Sequence, residues 1–562
     1  MDYEYSKLTA KLQTEAGKRI YERLKNEYEK KFDGQPIIAL DYTKYKLIYK
    51  TGNRTEFEDG FFARRERLAY LQLLALGDDA YLDPLEEIIC AICDEYTWLI
   101  PSHAYAGNEG REEEFDYTRV DLFASETGFY LSETMHMFGD KLSKDIRYRI
   151  KHSVKTKLLD NFENRTFWWE REDVGCNWTA VCAGGIAISY MYLFPERFVL
   201  VKDRILAMFK QYIHRAFSDD GVCVEGVGYY GYGIMLTMCF CDIYRQRYGD
   251  LPEFIKNEKI QKMFDYHKNS IIDGWPFPFS DVSPCQVVRY GILELITKKV
   301  FPDYQLPYFD FVENYLLNRE ALATRVLDCI GRFDIKGVKN ESNKEISRFY
   351  ESAQIFSYKN KNYLLYVKGG DNNELHNHND VGCFALYKGD KRIIADIGSG
   401  VYTWEYGEDM VARYGEKIFC CGSCSHSVPI VGDTYQTYGE NTRANLLSKS
   451  ENNIKFEISN AYRLKDTYLT VEYDCKENGL IVNYEYKGEE QPITFRFMSD
   501  FEPNLGDDKV MFGDVEVRLD IPYKLTYNKR QWETYSGTKW IWAIDFTISK
   551  APAVNAKFEF II

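Results

Sequence analysis

The sequence predicts a multidomain α+β chain, an N-terminal (α/α) helical array or toroid followed by a C-terminal antiparallel β-sandwich. Three observations predict it. With 562 residues the chain is too long for one compact core. Apolar residues recur at three- and four-residue steps through the first half. After about residue 345 the pattern changes to short segments rich in Tyr, Val, Ile and Phe, bounded by Gly, Asn and Asp.

The helical stretches are Leu68–Leu76, Leu85–Tyr96, Val120–Phe138, Ile146–Leu159, Cys182–Leu193 and Phe198–Phe217. Pro101, Pro195 and Pro252 fall between such stretches, where a missing N–H costs least. Amphipathic helices joined by short connections pack as antiparallel neighbours. The expected strands are Gln354–Tyr358, Tyr363–Lys368, Cys383–Lys388, Arg392–Ala395, Ile454–Ser459, Thr467–Tyr473, Leu480–Tyr486 and Ile493–Met498, with Lys539–Ile562 closing the sandwich. The expected domains are 1–330 for the helices and 348–562 for the strands. The linker, 331–347, is the end of the charged, irregular stretch Asn318–Ser347.

Net charge is −15, which argues against a general nucleic-acid or membrane-surface protein. An acidic substrate stays possible, because a cleft can be locally basic within a screening length of about 10 Å. The N-terminus lacks a basic segment followed by an apolar one, and no apolar run is long enough to span a bilayer. The expectation is a cytoplasmic protein, or a secreted one if a leader has been removed. The 14 cysteines are then reduced side chains rather than a disulfide frame. Cys421 and Cys424 have a zinc-type spacing but no second pair nearby. The 45 tyrosines, 35 phenylalanines and 9 tryptophans supply core volume; some of them could also stack on sugar rings.

Three segments could carry chemistry. The first is Glu374-Leu375-His376-Asn377-His378-Asn379-Asp380, which holds two of the chain's 8 histidines. It could be a polar turn between strands. Two further ligand-type residues favour function instead: Asp396 ends the apolar strand Arg392–Ala395, and His426 sits in Ser423–Pro429. His378, Asp396 and His426 together suit one divalent metal, Zn²⁺, or Mn²⁺ with waters. The second segment, Asp220–Gly233, packs Tyr229, Tyr230 and Tyr232 among glycines, with Glu225 just before them. Taken alone it reads as a glycine-rich helix entrance. The third, Gly175–Thr179, places Asn177 and Trp178 at the start of an apolar run, where Asn177 could serve as a cap.

These segments, with Phe61–Leu68, Trp98–His103 and Asp121–Thr127, resemble the heparinase II/III-like polysaccharide lyases, a family that includes oligoalginate lyases and broad-specificity glycosaminoglycan lyases. The resemblance runs through most of the chain. It implies an (α/α) toroid followed by a β-sandwich. It also implies β-elimination on uronate-containing polysaccharides such as chondroitin sulfate, hyaluronan and heparan sulfate, the acidic glycan being the expected partner. By resemblance Asn177 neutralises the uronate carboxylate, Tyr229 is the acid or base, and His376 is the catalytic histidine. His378, Asp396 and His426 hold a structural metal. Arg65, Trp178, Glu225, Tyr230 and Tyr232 are candidate substrate contacts; Arg65 could equally be a structural ion pair. Trp178 stands where some members carry a histidine.

Four other readings remain open from sequence: an alginate or oligoalginate lyase, a uronyl C5-epimerase, a glycoside hydrolase, and a non-catalytic glycan-binding or scaffold protein, against which the presence of Asn177, Tyr229 and His376 together weighs. The hydrolase needs two carboxylates, which Asp219, Asp220, Glu225 or Asp281 would supply. Endo or exo action, oligomeric state and the choice between Tyr229 and His376 as base are also open.

Overall fold

The computed structural model describes residues 5–104, 116–282, 344–403, 406, 418–506 and 509–562. It divides into two compact units. Among the described residues, the helical unit holds 5–217 and 229–268. The β unit holds 218–228, 269–282 and everything from 344 onward. Two stretches from the helical half of the sequence therefore belong to the β unit. Most of the expected linker, 331–343, lies outside the described residues.

The helical unit is built from α1 (Glu15–Lys31), α2 (Thr55–Gly77), α3 (Leu82–Cys93), α4 (Leu122–Phe138), α5 (Lys144–Val154), α6 (Asn177–Leu193), α7 (Pro195–Arg215), α8 (from Val227 to Tyr248) and α9 (Glu258–Asn269). α7 shows why such segments are helical. Proline occupies its first turn, where no N–H is needed, and Phe198, Val201, Ile205, Met208, Phe209 and Tyr212 line its buried face. α6 is apolar all round and almost wholly buried, so it is a central helix. It packs against α4 and α7. A Cβ on Gly185 would stand 2.4 Å from the Ser125 carbonyl oxygen, so α4 and α6 meet closer than any side chain there would permit.

Arg65 lies in α2 with no measurable exposure. Its guanidinium forks onto Glu95 at 2.8 and 2.6 Å and lies 3.4 Å from the Phe61 ring centroid. This corrects the reading of Arg65 as a substrate contact: its charge is spent inside the unit. Arg65→Ala would take away the two-pronged partner of the buried Glu95 carboxylate and leave it only the longer bond from Arg64 Nη1, at 3.1 Å. The expected loss is about 2–3 kcal/mol, less than for a carboxylate left wholly unpaired, read as an earlier unfolding transition in a denaturant titration.

Among the described residues, the β unit is a sandwich of two antiparallel sheets with a separate two-stranded pairing of Ile271–Ile272 and Trp275–Pro276. The smaller runs in sequence order through β1 (Ile346–Tyr350), β2 (Ile355–Lys359), β3 (Leu364–Lys368), β4 (Cys383–Lys388) and β5 (Lys391–Ile394). The larger contains β6 (Pro429–Val431), β7 (Asn445–Lys449), β8 (Asn453–Glu457), β9 (Tyr468–Lys476), β10 (Gly479–Ser499), β11 (Pro503–Leu505), β12 (Val510–Phe512), β13 (Val515–Leu519), β14 (Lys524–Thr534) and β15 (Gly537–Ile561). Its order is β11-β12-β13-β15-β10-β9-β8-β7, with β6 on β10 and β14 on β15. Phe384 from the small sheet sits between Tyr473, Phe497 and Phe560 of the large one, ring centroids 5.2–6.0 Å away. Leu480–Tyr486 and Ile493–Met498 are one strand, β10, not two. Around Pro492 the register with β15 shifts, and pairing resumes on both sides of the bulge.

Candidate active site

The histidine segment links β3 to β4. Its last residue is structural: Asp380 is fully buried and accepts from Lys368 Nζ at 2.7 Å, while its N–H donates to Asn372 Oδ1. With that end pinned, His376 adopts φ +56°, an unusual value for a residue with a side chain. Ser280, at φ +69°, bends the chain next to Asp281, and the Asp281 N–H donates to the His376 carbonyl oxygen at 3.3 Å.

Asp281 is the hub. Its Oδ2 meets His376 Nδ1 at 3.1 Å and accepts from the Tyr402 hydroxyl at 2.7 Å. Its Oδ1 meets His378 Nε2 at 3.1 Å and accepts from the Tyr406 hydroxyl. Burial alone would raise this carboxyl. The bonds from the two imidazoles outweigh it and hold Asp281 well below the usual carboxylate range. An ionised carboxylate can only accept, so Nδ1 of His376 carries a proton and Nε2 is left as the basic atom. Glu225, 2% exposed, lies 3.6 Å from that Nε2 through Oε1. Glu225 is thus a buried neighbour of the imidazole.

One ligand atom each from His378, Asp396 and His426 lie within 4.8 Å of one another, and all three residues are buried. The residues fit a cation. His378 turns Nε2 to Asp281 and leaves Nδ1 buried without a hydrogen-bond partner. His426 turns Nε2 to the Cys420 carbonyl oxygen at 3.1 Å, and its Nδ1 faces Asp396 Oδ2 at 2.9 Å. Each ring therefore has its outer nitrogen tied to an oxygen, the outer support that metal-binding histidines have; the inner one is unpartnered on His378 and meets Asp396, itself a member of the set, on His426. The cysteines of the Cys420–Cys424 segment are not part of this set.

The helical unit carries the other predicted residues. Asn177 is buried in the first turn of α6; the cap position is Cys176, whose side chain makes no capping bond. Trp178, half-buried, packs beside His103 and Trp168. Tyr229 and Tyr232 are three residues apart, so they share a face of α8, and both are partly exposed. The Tyr232 phenol is raised by burial and by the Glu126 carboxylate. Tyr230 points elsewhere. It is fully buried and stacks on His267 at 4.4 Å, which corrects its reading as a substrate contact: it fills the core.

No protein-family model matches the chain, and no curated protein matches its sequence. Solved structures do match. A heparinase III superposes with a TM-score of 0.64 at 12% identity, over 100% of this chain and 92% of that one. The heparinase III fold is the fold of this chain. The heparan sulfate lyase of Pedobacter heparinus gives 0.55 at 12% identity, over 98% and 91%. The chondroitin AC lyase of Streptomyces coelicolor, solved with chondroitin sulphate, gives 0.52 at 9%, over 96% and 82%.

Within this heparinase III fold, sequence reasoning missed the residues that aim the histidines. Asp281 was visible only as one of several carboxylates for a hydrolase. Tyr402 and Tyr406, which complete its shell, carry no spacing signal at all. The one available cue was the chemistry of two neighbouring histidines, which require a buried acceptor to fix their tautomers.

Proposed function

We propose that this chain is a polysaccharide lyase that cleaves uronate-containing glycans by β-elimination. The observation that carries the reading is His376, held through Nδ1 by an ionised Asp281 and so left with Nε2 as a proton acceptor. It stands on a fold shared with lyases named for heparan sulfate and chondroitin sulphate.

In this proposal the Asn177 amide donates to the uronate carboxylate and damps its charge, which makes C5–H acidic enough to lose. His376 Nε2 takes the C5 proton. The electron pair forms the C4=C5 double bond as the C4–O bond breaks. The Tyr229 hydroxyl protonates the departing oxygen. A deprotonated Tyr229 would serve as base for the other C5 configuration, which needs its phenol well below the usual value of about 10. His378, Asp396 and His426 would hold one divalent metal, zinc or manganese, whose charge orders the loops that present His376. Trp178, Glu225 and Tyr232 are the remaining candidates for contact with the glycan.

Glycosaminoglycans are the favoured substrates, with alginate as the second choice. The hydrolase reading is the weaker one. Asp281 is enclosed by two imidazoles and two phenols, and Asp220 is tied to Ser352 at 2.6 Å. Neither carboxylate is available for a water or a leaving group.

An absorbance assay for the unsaturated uronate, run on heparan sulfate, chondroitin sulfate, hyaluronan and alginate, should find turnover on at least one polymer. Products lacking one water by mass spectrometry confirm elimination. Deuterium entering from solvent without chain cleavage would instead identify an epimerase. Silence on all four polymers would sink the lyase reading.

A further inference from the structure

The helical unit holds a second oriented imidazole, which the elimination above does not use. His103 is the third residue of the short helix Pro101–Ala104, and its Nδ1 lies 2.7 Å from Asp121 Oδ2. Asp121 is itself fixed: it is buried, it caps α4, and its Oδ1 accepts the Ala124 N–H at 2.7 Å. A carboxylate bound in this way directs a proton onto Nδ1 and leaves the lone pair of His103 on Nε2.

The ring is also clamped from its flanks. Phe123, two residues beyond Asp121 on α4, lies parallel to it with centroids 5.4 Å apart and 1° between planes. Trp178 packs against it at 4.6 Å, and Trp168, 45% exposed, continues from Trp178 at 5.1 Å. The His103 side chain nevertheless keeps 15% of its surface open. Among the described residues Nε2 has no hydrogen-bond partner. A histidine kept only for packing does not need a fixed carboxylate to set its tautomer. Here the tautomer, the ring plane and the opening all serve one outward-facing acceptor atom, set in an aromatic wall. Trp178 directly follows Asn177, so the acceptor lies beside the residue expected to hold the reacting uronate.

From this geometry we infer that His103 contacts the glycan, its Nε2 accepting a hydrogen bond from a sugar hydroxyl while Trp178 and Trp168 lie along the ring faces. Asp121 is a positioning residue that acts through His103. The inference rests on the lyase reading and adds to it a residue that binds substrate and moves no proton.

The test uses the polymer that the wild-type enzyme cuts fastest. His103→Asn keeps a donor for Asp121 and removes the outer acceptor. It should raise KM about tenfold, in line with loss of one well-placed hydrogen bond, and leave kcat within about threefold. His103→Gln, which returns a polar atom to the outer position, should recover part of that KM. A KM within twofold of wild type for a folded His103→Asn overturns the inference, as does a collapse of kcat at unchanged KM. A second measurement does not depend on those variants folding. In the His376→Ala enzyme, which should hold substrate uncut, diethyl pyrocarbonate labelling of His103 is mapped by mass spectrometry with and without a saturating oligosaccharide. Protection by the sugar is expected, and equal labelling overturns the proposal. Wild-type enzyme that cuts no uronate polymer fails the lyase reading itself. Wild-type enzyme that cuts, with His103 neither protected nor affecting KM, fails only this inference.

Discussion

His376→Ala is expected to slow formation of unsaturated product about 10²–10⁴-fold while KM changes little. The magnitude follows from what is removed. The variant deletes the imidazole whose Nδ1 is tied to Asp281 Oδ2, and with it the basic Nε2. The groups of the helical unit proposed to contact the substrate are untouched. Single-turnover absorbance separates the chemical step from product release. Tyr229→Phe should fall by a similar factor, since it removes the hydroxyl proposed to protonate the departing oxygen. Two groups that act in one elimination are not independent, so the double variant should be far more active than the product of the two losses implies. Full activity of His376→Ala beside an inactive Tyr229→Phe would make the tyrosine both base and acid, and would reduce His376 to a neighbour.

The residues legible in the sequence are those whose signal is local. The change of hydrophobic period near residue 345 separates helices from strands, because side-chain direction repeats every 3.6 residues in one and every two in the other. Cys383–Lys388 could be bounded to the residue, since both of its faces are buried and glycines flank it. β14 could not be seen. Its residues are exposed along nearly the whole strand, so charge and polarity hide the alternation, and only pairing with β15 makes it a strand. The candidate metal ligands were legible because residue type alone restricts them. Arg65 and Tyr230 misled for the opposite reason. A charge or a phenol looks the same in sequence whether it faces solvent or a buried partner, and here the partners, Glu95 and His267, lie 30 and 37 positions away. Asp281 was lost for want of any motif: its role is made by four contacts with residues 95–125 positions distant.

Asp281→Asn should be nearly as damaging as loss of His376 and should carry a second, separable effect. In the protein as it stands, one carboxylate accepts from His376 on Oδ2 and from His378 on Oδ1. An amide can accept on only one side. If its NH₂ turns toward His376, Nδ1 becomes the acceptor and the proton moves to Nε2, where it blocks the base; a fall in kcat of about 10²–10⁴-fold is expected. If the NH₂ turns toward His378 instead, the proton is driven to Nδ1, the atom otherwise left buried without a partner, and a metal must displace it. Metal affinity should then fall about 10–100-fold. The two outcomes separate by titrating zinc or manganese into the chelated variant. Activity restored at high metal means the His378 side has failed; activity still absent at saturation means the His376 tautomer is wrong. Because both histidines hang on one carboxylate, stripping metal from the wild-type protein should also lower kcat, through looser placement of His376, and should leave the secondary-structure spectrum unchanged. Wild-type activity unaffected by chelation, with the ion shown to be gone by elemental analysis, would mean that the metal set and the base are independent despite sharing Asp281.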